Sequence, residues 1–423
     1  MSGTIAEKCL RFIDAGVSCY HVVEQMERRF DEKGFIRLDE RDRWDLKKGG
    51  SYYAERGGSA IMAFCIPKGE MRGFHIVASH SDSPAFKLKT NPEYPLENQY
   101  LRLNTEGYGG MIYSTWFDRS LSVAGRVVLG KGGEPVCVNV NIDKDLLVIP
   151  SLAIHMNREA NKGMEFNPQT DLLPFMGSGE TKGYLEKELK RLSGAGEDEI
   201  LGSDLYLYVR ERGKIAGANG ELMISPRLDD LECVFGSMEA ILGAAPGNYC
   251  GVCAVFHNEE VGSLSRQGAA STFLKDTLMR IGESFGYCGS EYLRLIAGSF
   301  MISADNAHAL HPNHPEKADV VNKPVLNGGI VVKHHGGQKY TTDGLSEGVM
   351  KLICQRAKVP YQDYHNRSDI AGGSTLGNIS AAQVALPTVD IGLAQLAMHS
   401  AVETAGSRDI EYLQKALELF LGE

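Results

Sequence analysis

Glu259 and Glu260 stand side by side in His257-Asn258-Glu259-Glu260-Val261-Gly262, directly after the apolar run Val252 to Phe256. That run predicts a buried strand, and the acidic pair then sits where the strand empties into a loop. Parallel α/β sheets collect their chemistry at such carboxyl ends, where two neighbouring carboxylates can divide labour, one binding a cation and the other moving a proton. An isolated Glu-Glu pair in a turn is usually just solvated. Here other element ends carry residues of the same chemistry. His80 and Asp82 follow the apolar run Phe74 to Ala78, Asp229 enters a helix, Asp305 follows Ser299 to Ala304, and His399 lies in Ala397-Met398-His399-Ser400. Imidazoles and carboxylates without thiolates suit zinc, cobalt or manganese in an open, catalytic site. Asp82 is two residues from His80, on the same side of an extended segment. It can accept one imidazole N–H and so present the other nitrogen to a metal.

The elements that must position these residues are legible in outline. Residues from about 5 to 35 read as helix, and Ser59 to Pro67 as a strand and turn. From about Lys87 the texture becomes β-rich, with short strands predicted at Tyr100 to Leu103, Gly125 to Leu129, Val136 to Ile142 and Asp204 to Arg210. A charged helical segment, Thr181 to Leu192, interrupts them. After Pro226 strand and helix alternate: a helix from about Asp230, strands at Gly251 to Phe256, Ser299 to Ala304 and Pro387 to Ile391, and helices at Gly344 to Lys358 and Ser407 to Phe420. The expectation is an α/β fold, a mostly parallel sheet flanked by helices, with an inserted β-rich domain. We place the catalytic domain at residues 1–90 and 225–423 and the insertion at 91–224.

Composition narrows the function. The chain has 423 residues, 43% hydrophobic and 23% charged, as ordinary globular proteins do. A net charge of −10 with no basic face argues against nucleic-acid binding. Nine scattered cysteines fit a reducing cytosol, and Cys250-Gly-Val-Cys253 has no second CxxC to complete a zinc knot. No apolar run is long enough for a membrane span and no leader is visible, so a cytoplasmic protein is expected. HExxH, GxSxG and phosphate-binding loops are absent, which disfavours serine and nucleotide mechanisms.

Five blocks, in order, resemble the aspartyl aminopeptidase family of dinuclear zinc metallopeptidases. They are Ala78-Ser79-His80-Ser81-Asp82-Ser83-Pro84, Ser225-Pro226-Arg227-Leu228-Asp229-Asp230-Leu231, His257-Asn258-Glu259-Glu260-Val261-Gly262-Ser263, Ser303-Ala304-Asp305-Asn306-Ala307-His308 and Ala397-Met398-His399-Ser400. The likeness extends from Gly49-Gly50-Ser51-Tyr52-Tyr53 to Ser368-Asp369-Ile370-Ala371-Gly372-Gly373-Ser374-Thr375. Asp230, where Asn is common, and Ala401-Val402-Glu403-Thr404, where an Arg-Glu pair is expected, are similar to the bacterial branch.

The resemblance implies two zinc ions per subunit, cobalt or manganese being chemically acceptable. It assigns His80 and Asp305 to one ion, Glu260 and His399 to the other, Asp229 as the bridge, and Glu259 as general base. It further implies that His155 reaches a neighbouring subunit's site, that His308 lies beside the metals, and that Lys333 meets an acidic first residue. The particle would be a homo-dodecamer joined through the β-rich insertion. The implied activity is release of the amino-terminal residue, Asp or Glu first, from short peptides, with neither nucleic acid nor membrane as partner. The alternatives are an aminopeptidase of broad or neutral preference, a dinuclear deacylase or carboxypeptidase, and a non-catalytic oligomeric scaffold.

Overall fold

In the computed structural model, which describes residues 3–196 and 198–423, the central strands are those whose sequence is apolar on both faces. Phe74–His80 and Cys250–Phe256 are buried along their whole length, as parallel strands covered on both sides must be. Their side chains alternate between two cores. Val77, Cys253, Val255 and Ile302 enter one, closed by Ile5–Ala15, Cys19–Glu32, Leu228–Gly243 and Asp409–Leu421. Ile76, Ala78, Val252, Phe256 and Met301 enter the other, beneath Phe273–Ser284 and Ser290–Ala297. Cys250 and Cys253 therefore point into different cores, and burial pushes both thiols up, Cys253 to about 12. Paired redox or metal chemistry between them is ruled out by their opposite orientation.

The nine strands of this sheet lie in the order Ile36–Leu38, Ser51–Arg56, Ala60–Cys65, Cys250–Phe256, Phe74–His80, Phe300–Ala304, Thr388–Gly392, Ile330–His334, Tyr361–His365. The middle four, Cys250–Phe256 through Thr388–Gly392, run parallel, while Ala60–Cys65 and Ile330–His334 pair with that block antiparallel. The sheet is mixed, with its parallel part where the chemistry was expected. The helix expected over 5 to 35 is two helices. Thr4 and Glu7 form a capping box that starts the first, and Gly16 ends it.

The chain divides into two units, the first comprising the chain through Asp82, Gly213–Met398 and Glu403–Glu423, the second Ser83–Arg212 with His399–Val402. These bounds correct the expected 91–224 insertion. The second unit begins earlier because Ala85–Leu96 is a strand of its six-stranded sheet, and ends earlier because Leu222–Ser225 pairs with Glu403–Gly406 in a five-stranded sheet of the first. That six-stranded sheet is antiparallel throughout. Its core, from Leu121, Val123, Val127 and Leu129, packs Leu185 and Leu189 of the helix Tyr184–Ser193. Among the described residues no helix is long and apolar enough to cross a membrane.

One close approach ties this framework to the expected metal ligands. Gly392 ends a central strand, and a Cβ added there would stand 2.0 Å from the backbone oxygen of Asp305 and 2.9 Å from its carbonyl carbon. Backbone cannot swing aside as a side chain can. Gly392→Ala is expected to displace Asp305 and lower unfolding stability by about 1–3 kcal/mol, as overpacking does; an unchanged denaturation midpoint would show that the approach is not limiting.

Candidate metal centre

Three adjacent parallel strands deliver acidic or imidazole side chains to the same edge. Phe256 is in register with His80, and Ser303 with Ala78, so Glu259 and Glu260, His80, and Asp305 emerge as neighbours. The glutamates occupy a short 3₁₀ turn, Glu259–Val261, entered by Asn258 at φ 63° and left by Gly262 at φ 96°. Asn and Gly tolerate this left-handed conformation better than other residues. Asp229 arrives from a different element. It precedes the regular part of Leu228–Gly243, with φ −80° and ψ 111°, and its peptide bond to Asp230 is cis.

His80 is buried and stands at the middle of the group. Its Nε2 lies 3.7 Å from Asp229 Oδ1 and 3.9 Å from Asp230 Oδ2. Its Nδ1 is 3.1 Å from the backbone oxygen of Asp82 and 3.5 Å from Oδ1 of the same residue. Asp82 thus faces the imidazole as expected, but through its carbonyl first. Its carboxylate has a second task that spacing alone did not reveal, because Oδ1 accepts the Glu259 N–H at 3.3 Å and Oδ2 the Glu260 N–H at 3.2 Å. One buried carboxylate therefore holds the backbone of both glutamates.

The electrostatics are those of too many acids in one dry place. Burial opposes protonation of His80, yet Asp230, Asp82 and Glu259 together lift its pKa well above the ordinary value. Burial raises Glu259 to about 8, with Asp305, Asp82 and Asp229 adding to it against the opposing charge of His80. Asp230 is raised by burial and by Asp305 and Asp229, and Asp305 by burial and by Asp229. Asp230 Oδ1 is buried without a hydrogen-bond partner. His80 with Asp229 and Asp230, and His80 with Glu259 and Glu260, each bring one ligand atom per residue within 4.8 Å of one another. An imidazole among carboxylates, one of them with an unsatisfied buried oxygen, fits a divalent cation of the zinc type.

The remaining candidates are distributed. His399 belongs to the short segment His399–Val402 of the second unit, where its Nδ1 lies 2.9 Å from the backbone oxygen of Gly110. His155 is exposed in a turn of the second unit, between Ile154 and Met156, which are exposed too. His308 lines a cavity of ≈ 290 Å³ with Tyr364, His365, Lys317, Gln395 and Ala397. Lys333, on the strand Ile330–His334, is fully buried. Its ammonium donates to Asp305 O at 2.7 Å, Asp305 Oδ1 at 3.3 Å and Asn306 O at 3.2 Å. Three groups were not singled out from sequence: Asp230 as part of the acidic cluster, Asn306, and Glu403. For Glu403 the available signal was an acid among the mainly apolar neighbours Ala401, Val402 and Ala405; Asp230, between Asp229 and Glu232, carried no such mark.

A family model described as aminopeptidase I zinc metalloprotease (M18) matches residues 12–421. The chain is 45% identical over 423 residues to the probable M18 family aminopeptidase 2 of Clostridium acetobutylicum, covering 98% of both chains. The chain belongs to the M18 family. Its fold matches Ape4 as solved in complex with Nbr1, with a TM-score of 0.94 and 34% identity over 99% of this chain and 85% of that one. It also matches the S. cerevisiae mApe1 dodecamer, with a TM-score of 0.85 and 26% identity over 98% of this chain and 96% of that one. The family expected from the sequence blocks is thereby shown, and with it a zinc-metalloprotease hydrolase of aminopeptidase type. In this M18 aminopeptidase the role of Asp82 can be tested directly. Asp82→Asn places an amide nitrogen against one of the two glutamate N–H groups, and zinc affinity or turnover is expected to fall about 10–100-fold, as for other outer-shell partners of metal ligands. Unaltered zinc binding and kcat would remove Asp82 from the site.

Proposed function

We propose that the chain removes the amino-terminal residue of short peptides, Asp and Glu ahead of others, at a site holding two zinc ions. The observation that carries this reading is the convergence of His80, Asp229, Glu259, Glu260 and Asp305 at one edge, with Asp82 fixing the backbone of both glutamates. His80, Asp305, Glu260 and His399 would hold the ions, with Asp229 shared between them. Both imidazoles have Nδ1 within reach of a backbone oxygen, His80 of Asp82 and His399 of Gly110, the arrangement that leaves Nε2 as the ligand atom. Bound zinc supplies Lewis acidity, making water acidic near neutral pH and drawing charge from the scissile carbonyl.

Glu259 is the residue that moves the proton. It takes one from water and returns it to the leaving amine, which needs a carboxylate whose pKa lies near the working pH. Burial, with neighbouring acids adding to it, raises Glu259 to about 8 in the metal-free protein, and bound dications would draw it back down from there. Lys333 is matched by Asp305 in the protein alone. With zinc taking up the Asp305 charge, the Lys333 ammonium, buried and engaged by Asp305 and Asn306, would favour an acidic side chain through its charge rather than by direct contact, with His308 at the neighbouring cavity. His155 would serve the site of a neighbouring copy in a homo-oligomer, and the exposed Leu152, Ile154 and Met156 around it support an interface there. Nine free cysteines support a cytoplasmic setting.

Glu259→Gln is expected to retain zinc while turnover falls about 10²–10⁴-fold; near-normal turnover would remove Glu259 from the mechanism. Substrate preference is read from release of the first residue from peptides differing only there, as Asp, Glu, Leu or Lys, each free and acetylated. Release from free Asp and Glu peptides, abolished by chelation and restored by zinc, is the expected result. Release led by Leu would leave the mechanism and discard the acidic preference, and cleavage of acetylated peptides would point to a deacylase. No release from any peptide by zinc-loaded protein would favour the scaffold.

A further inference from the structure

The peptide joining Leu228 to Asp229 is gripped from two sides by buried side chains that the mechanism above does not use. Its N–H, on Asp229, donates to Glu403 Oε2 at 3.0 Å. Its C=O, on Leu228, accepts from Asn306 Nδ2 at 3.1 Å. A trans peptide points these groups in opposite directions, so the two side chains close on it like jaws. Glu403 and Asn306 are each 2% exposed.

The local backbone explains the need. The first N–H groups of a helix have no partner within the helix, and a side chain just upstream usually supplies one. Here Arg227 is in the left-handed conformation at φ 56° and caps nothing, while Asp229 itself is not helical. A distant carboxylate fills the gap. Glu403 is held opposite Ser225 by the register of Leu222–Ser225 with Glu403–Gly406. Asn306 is anchored in turn, accepting from Cys233 Sγ at 3.2 Å and Leu393 N at 3.3 Å and donating to Gln395 Oε1 at 2.9 Å. It also directly follows Asp305, so any shift of its side-chain anchor moves that residue as well as Leu228.

We propose that Glu403 and Asn306 are positioning residues that clamp the 228–229 peptide and thereby aim the Asp229 carboxylate at the metals. The inference rests on the reading of Asp229 as a metal ligand. A capping role alone would affect folding and leave metal affinity untouched, which separates the two accounts.

The experiment compares Glu403→Ala, Glu403→Gln, Asn306→Ala and the Glu403→Ala/Asn306→Ala double variant with Asp229→Asn. Zinc affinity is measured by competition with a chromogenic chelator, and the thermal midpoint is measured on zinc-stripped protein. Each alanine variant is expected to weaken zinc binding about 10–100-fold. Glu403→Gln, which keeps an acceptor oxygen, should recover most of the loss. Because both jaws hold one peptide, the double variant should fall short of the product of the single effects. Wild-type zinc affinity with a lowered midpoint in the alanine variants would overturn the clamp and leave only capping. If Glu403→Ala does not fold, Glu403→Asp, one methylene short of the N–H, reads the same constant, and wild-type affinity there overturns the proposal as well. Asp229→Asn separates the two readings: if it binds zinc normally, the ligand assignment itself fails, whereas zinc loss there with normal clamp variants refutes the clamp alone.

Discussion

Asp229, Asp230 and Asp305 are buried around His80, and Lys333 is the only lysine or arginine buried among the described residues. Two like charges about 4 Å apart repel by about 4 kcal/mol even at an effective dielectric constant of about 20. In the protein alone burial first, and this repulsion in addition, favour holding protons, and the pKa values of Asp230, Asp305 and Glu259 all rise. Divalent cations relieve it more completely, since each places two positive charges where one proton would otherwise sit. The arrangement is thus unfavourable as a set of carboxylates and favourable as a metal centre.

Holding such a set together needs backbone that does not yield. Adjacent parallel strands in fixed register provide most of it, because His80, Asp305 and the Glu259–Glu260 turn leave the sheet side by side. The groups that do not come from strand ends are tied down individually. Asp82 holds two N–H groups of the glutamate turn, and Glu403 and Asn306 hold the peptide before Asp229. His80 N–H donates to Asp230 Oδ2 at 3.1 Å, so the strand carrying the imidazole is tied by a hydrogen bond to the residue that follows Asp229. Buried polar groups engaged in this way restrict the geometry of the site.

Much of the fold was readable because burial on both faces leaves a plain mark. Val252 to Phe256 is apolar without alternation, as is Phe74 to Ala78 apart from His75, and both are central strands. The mixed direction of the sheet was not readable, since Ala60–Cys65 and Ile330–His334 look like any other apolar run and their direction is set by how the connections return. The unit bounds differ from the expected 91–224 for a related reason. Leu222–Ser225 reads as the tail of the β-rich stretch, yet it pairs with Glu403–Gly406, far away in sequence. Helix 5 to 35 was too long by one break at Gly16, where helical periodicity continues across a stop.

The sequence by itself determined the chemistry available: imidazoles and carboxylates at element ends, no thiolate ligands, and an acidic pair placed for proton transfer. Residue type and strand-end position sufficed for that, because donor chemistry belongs to the side chain. Tertiary structure decided what each donor touches. It turned Lys333 inward onto Asp305, gave Asp82 the backbone of two glutamates, and brought Glu403 and Asn306 to opposite sides of one peptide bond. These contacts join residues as far as 178 positions apart. Their geometry follows from sheet register and from the cost of leaving buried polar groups unpaired, and neither is a property of any local stretch of chain.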